Sequence, residues 1–100
     1  MTNYIGIFII TAYVVTGHLD ASGHRPVAGV TCAASRRFPL GTVLLIEGIG
    51  KRIVTDRLHI RFDADRVELP VETGREDALR WGARKRKVCV VYEKSKVSSR

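Results

Sequence analysis

Six short runs of β-branched and aromatic residues, parted by glycine, proline or charge, limit what this chain can become. They span residues 5–15, 30–34, 42–47, 51–55, 66–69 and 87–92. Ile, Val, Thr, Tyr and Phe are stiff at the first side-chain torsion and pack well on a pleated surface, so each run reads as a strand. A chain of 100 residues holds one hydrophobic core, and six short strands around one core suit a closed barrel. Gly48-Ile49-Gly50 is a short glycine-bearing link between two of the runs, which predicts an antiparallel hairpin there. The expected organisation is one mainly β domain over residues 1–94, followed by a flexible basic tail at 95–100.

One helix is expected. Thr73 precedes Glu76 by three residues, the spacing of a capping box, and Ala78, Leu79 and Trp81 supply an apolar side before Gly82 stops the run. That helix should cover one end of the barrel, with Trp81 packed against the core. The tract Arg84-Lys85-Arg86-Lys87 leads straight into the last apolar run and reads as a solvated loop or a strand entrance.

The apolar stretch 4–15 imitates the core of a signal peptide, but no basic residue precedes it and no small-residue cleavage site follows. It is also too short to span a bilayer as a helix. The expectation is a chain without an export signal of its own, cytoplasmic on synthesis and without a membrane span. A formal net charge of +7 and 45% apolar residues describe a basic globular chain, attracted to polyanions such as nucleic acid or cell wall. Cys32 and Cys89 each stand inside an apolar run, the usual place of a buried free thiol. Neither has metal-site spacing, and His18, His24 and His59 lack the i,i+4 pattern of ligands, so no metal and no cofactor are expected.

Three local patterns follow one another in order: Thr11-Ala12-Tyr13 ending the first run, Ala21-Ser22-Gly23 with Pro26 and Gly29 after it, and Pro39-Leu40-Gly41-Thr42 opening the third. With Asp56 behind Ile53-Val54-Thr55, and Ala78-Leu79-Arg80-Trp81-Gly82-Ala83-Arg84 at the helix end, the chain resembles the three-aspartate (3D) domain family from about residue 11 to 91. The resemblance extends to the C-terminal barrel of membrane-bound lytic transglycosylase A. It implies a six-stranded double-psi β-barrel acting on peptidoglycan, and a bacteriophage lysis or tail context fits a small wall-cleaving protein of this kind. The chain departs from the family pattern at four places. The first aspartate falls in Ala33-Ala34-Ser35, which has no carboxylate; the third is replaced by glutamate in Arg66-Val67-Glu68. Asp20 replaces a threonine, and the glycine-rich stretch after Asp56 is replaced by residues 57–62.

Cleavage of a β-1,4 glycosidic bond needs a proton donor to the leaving oxygen and stabilisation of an oxocarbenium-like transition state. The resemblance implies Glu68 as general acid and base, with Asp56 as its partner. Arg52, Arg57, Arg61 and Arg66, where close, favour an ionised carboxylate and weaken a donor. A surface salt-bridge cluster of Asp56, Asp63, Asp65 and Glu68 is the plainer reading of the same residues. Thr11 and Tyr13, two apart on a strand, share a face that could line a sugar groove; Ser22 and Gly23 join it by the resemblance, or form an ordinary turn. His59 is the histidine best placed to fold over such a cleft. Three functions remain in play: a lytic-transglycosylase-like enzyme bound to peptidoglycan or another anionic wall polymer, a non-catalytic glycan-binding or interaction barrel, and a basic nucleic-acid binder. The last lacks aromatics interleaved with its basic tract.

Overall fold

The computed structural model describes residues 1–59 and 65–92. Strands β1 (Thr2–Val14), β2 (Thr31–Ala34), β3 (Val43–Ile46), β4 (Gly50–Arg57), β5 (Arg66–Val71) and β6 (Arg84–Val91), with helix α1 (Arg75–Trp81) between the last two strands, account for its regular structure. The strands close into a barrel in the order β1-β5-β2-β4-β3-β6. Two pairs are parallel, β1 with β5 and β2 with β4. The expected hairpin is present: β3 and β4 pair antiparallel across the turn, where Gly48 and Gly50 take φ of 74° and 112° that side chains resist.

The two-residue period of a strand sorts side chains between the interior and the outer wall. Phe8 and Ile10 of β1, Leu44 and Ile46 of β3, Val67 and Leu69 of β5, and Val88 and Val90 of β6 are buried in one cluster, whereas Ile7 and Ile9 lie on the outside at 54% and 39% exposure. The four residues of β2 are all buried. Cys32 and Cys89 are both free, Cys32 fully buried and Cys89 partly so; burial pushes the Cys32 thiol up to about 12, against the opposing charge of Arg52. No helix among the described residues is long and apolar enough to cross a membrane.

Three local expectations need correction or sharpening. Of the two readings of Arg84-Lys85-Arg86-Lys87, the strand entrance holds: its backbone pairs with Ile10, Ile9, Phe8 and Ile7 of β1 while Arg84, Lys85 and Lys87 stay exposed. The helix has no capping box: Gly74 is its N-cap, at φ 118°, with no side-chain cap bond, so Thr73 stands one residue too early. Of the residues expected on its apolar side, Leu79 is 66% exposed and Trp81 packs on the core. The Trp81 indole Nε1 donates to the Ile10 carbonyl at 3.1 Å, which ties the helix end to β1. The segment 93–100, with the expected basic tail, lies outside the described residues.

Leu44 has no exposed surface and sits centrally in the cluster. Leu44→Ala is expected to lower the unfolding free energy by about 2–5 kcal/mol. Urea unfolding checks it: the midpoint falls while the slope stays unchanged.

Candidate functional site

Strand β2 brings the carboxylates together. Ala33 pairs with Glu68 of antiparallel β5 on one side and with Asp56 of parallel β4 on the other. On β5, Glu68 alternates with the core residues Val67 and Leu69, and on β2 Ala33 lies between the core residues Cys32 and Ala34, so the row faces outward. Thr11 of β1 is the register partner of Glu68, which extends the row to Thr11-Glu68-Ala33-Asp56 across four neighbouring strands. Two strand spacings separate the Glu68 and Asp56 backbones, about 10 Å. An irregularity makes this alignment: Cys32 pairs with Val54 but Ala33 with Asp56, so Thr55 is an extra residue in β4.

The neighbours of each carboxylate differ. The Thr11 hydroxyl donates to Glu68 Oε2 at 3.3 Å, and Arg66 Nε lies 4.0 Å from the same oxygen. Asp56 Oδ1 accepts the backbone N–H of Arg57 at 2.8 Å and of Ala21 at 3.1 Å. The second contact comes from the loop after β1, so Asp56 anchors that loop. Thr55 holds it too, its carbonyl accepting the Ser22 N–H at 2.9 Å.

Asp20 organises the loop from inside. Its Oδ1 accepts the Ser22 hydroxyl at 2.6 Å, the Ser22 N–H at 3.0 Å and the His24 N–H at 3.1 Å, an Asx turn continued by one residue. Gly23 at the apex has φ 84° and is exposed, a conformation suited to glycine. Ser22 therefore has its hydroxyl engaged by Asp20, with His24 Nδ1 a further 3.2 Å contact. Asp20 stands out in the sequence as a departure from the family pattern; its Asp-x-Ser spacing was the signal for the turn. Burial raises its pKa, but the donors from Ser22 and His24 outweigh that and leave it lowered from 3.8.

Tyr13 shares the Thr11 face of β1. Burial above all keeps its phenol protonated, well above the usual value, and the charges of Asp56, Asp20 and Glu68 add to the effect, so the hydroxyl lies within electrostatic reach of all three carboxylates. That hydroxyl is buried and has no hydrogen-bond partner among the described residues. Thr11, Tyr13, Asp56 and Glu68 thus converge, with Ser22 and Gly23 in the loop beside Asp56. His59 is exposed two residues beyond β4, and the following stretch, with Arg61 and Asp63, lies outside the described residues. Asp65 pairs with Arg37 at 3.3 Å. Sequence reasoning missed a role for Arg57, whose Nη1 donates to the Ser35 carbonyl at 3.0 Å and the Phe38 carbonyl at 2.6 Å, fixing the chain between β2 and β3.

Two cavities of about 860 and 340 Å³ lie elsewhere, and neither is lined by Asp56 or Glu68. In the row itself, Glu68 and Asp56 are partly buried, and Thr11 and Ala33 are buried.

Because the folded pKa of Asp20 is below 3.8, its contribution to stability is complete above that pH and is lost as pH falls toward the lowered value. Urea midpoints across the acid range should decline less steeply for Asp20→Asn than for the wild type; identical acid limbs would refute the assignment. No protein-family model matches the sequence, and no curated protein matches it significantly.

Proposed function

We propose that the chain cleaves peptidoglycan glycan strands in the manner of a lytic transglycosylase, with Glu68 as general acid and base and Asp56 as its partner. The observation that carries this reading is the row Thr11-Glu68-Ala33-Asp56, in which two carboxylates flank the small side chain of Ala33 across neighbouring strands. The order of short motifs shared with the three-aspartate family supports it. So does the pairing pattern: two parallel pairs joined through antiparallel β2 and β5 are what a double-psi reading of the barrel requires.

Glu68 protonates the leaving glycosidic oxygen as the bond to the anomeric carbon breaks. The Asp56 carboxylate, aimed by two backbone donors on Oδ1, faces the positive charge that grows on the sugar ring. The C6 hydroxyl of that sugar then attacks its own anomeric carbon and gives its proton to the Glu68 carboxylate, which restores the acid and closes an anhydro ring. Thr11 steadies Oε2 of Glu68. Glutamate in place of the family's aspartate moves the acid outward by one methylene, toward a polymer lying on the wall.

A second reading has its own observation. Arg66 beside Glu68 gives that carboxyl a counter-charge, which suits a glycan-binding barrel without catalysis. Turbidity of purified cell walls separates the two. Clearing by the wild type should fall at least about a hundredfold in Glu68→Gln and by less in Asp56→Asn. Clearing that survives Glu68→Gln removes the mechanism, and retention on wall pellets without clearing selects the binder.

A further inference from the structure

At one end of the barrel a cavity of about 340 Å³ is lined by Ala12, Ile49, Leu69, Pro70, Trp81 and, as the charged member of the set, Arg52. Register puts Arg52 opposite Leu44, whose side chain is wholly interior, so the guanidinium is directed to the barrel side of β4 and not to the outer wall. It makes one hydrogen bond among the described residues, from Nη1 to the carbonyl of its neighbour Lys51 at 2.8 Å. Among the described residues its Nε–H is buried with no acceptor, and no carboxylate pairs with it.

A partly buried cation without a counter-charge is costly, because it has given up water and gained little. The cost is recovered when an anion arrives. The lining decides which kind: one guanidinium matches one negative charge, and its planar fork suits a carboxylate. The remaining walls are aliphatic or aromatic, and the volume is at the lower end of the range for small-molecule sites. The Trp81 ring is held in place by its bond to Ile10 and by the Arg84 guanidinium stacked 3.8 Å from its centroid, so it offers a preformed flat surface.

We infer that this cavity is a binding site for a small monocarboxylate carried on a compact apolar or aromatic body. It lies on the interior side of the wall whose outer side carries Glu68, and it stands independently of the chemistry proposed for that residue.

Trp81 is the one tryptophan of the chain, so its fluorescence reports occupancy directly. Benzoate serves as the anionic probe and benzamide as its neutral counterpart. A saturable change at millimolar benzoate is expected, with benzamide at least about tenfold weaker, the difference that a charge-assisted hydrogen bond supplies. Arg52→Met, which keeps length and removes charge, should abolish the preference, and Arg52→Lys should retain part of it. No saturable response to benzoate, an equal response to both probes, or an undiminished preference in Arg52→Met overturns the inference. Should Arg52→Met fail to fold, the wild-type comparison of the two probes and Arg52→Lys decide the matter alone.

Discussion

The site depends on a single extra residue in one strand. Cys32 and Val54 are partners, and an unbroken ladder would set Ala33 against Thr55; the irregularity sets it against Asp56 instead. A one-residue shift in a strand moves a side chain to the opposite face. Without it, Asp56 would leave the row that contains Glu68. The shift is tolerable because β2 is short and built of small residues, with Ala33 and Ala34 leaving room for neighbouring strands to adjust. The same irregularity directs the Thr55 carbonyl to the Ser22 amide, so the loop after β1 and the carboxylate alignment stand or fall together.

Around that row, some buried polar atoms are left without partners among the described residues. Asp20 saturates one oxygen with three donors and leaves Oδ2 buried without a partner. Tyr13 brings a hydroxyl into the field of Asp56, Asp20 and Glu68 and donates to none of them. Buried polar atoms in native proteins are seldom left unmatched, and where they gather they mark places at which a ligand or water completes the set. Tyr13 Oη, Asp20 Oδ2 and Thr55 Oγ1 are such atoms on the strands and loop around Asp56, and Arg52 Nε is another at the end of the barrel.

Much of the barrel was legible beforehand because a strand's burial follows a period of two. Phe8 and Ile10 inside with Ile7 and Ile9 outside can be read from the letters alone, as can the turn at Gly48-Ile49-Gly50. The pairing of Thr11 with Glu68 could not, since parallel register is set by distant residues and leaves no local mark. The beginning of β6 was obscured for another reason: four consecutive cations look like a loop, yet their backbones complete a ladder whose partner strand is strongly apolar. The Thr73 and Glu76 spacing misled because a glycine in an unusual conformation can begin a helix without any side-chain cap. The family resemblance found the carboxylates, while the loop chemistry of Asp20 was open to anyone reading Asp-x-Ser as a turn.

The basic character of the chain also takes on a different meaning. A charge of +7 suggests an unspecific attraction to polyanions, but several of its arginines are engaged in building the fold. Arg57 binds two carbonyls, Arg37 lies over the Phe8 and Phe38 rings at 4.8 and 5.0 Å, and Arg84 covers Trp81. Guanidinium groups suit these tasks because they are planar, weakly hydrated and able to donate in several directions. A lysine ammonium lacks that planar fork, and Lys51, Lys85 and Lys87 are exposed. Arginine thus helps set the shape of the barrel and, together with lysine, the potential outside it.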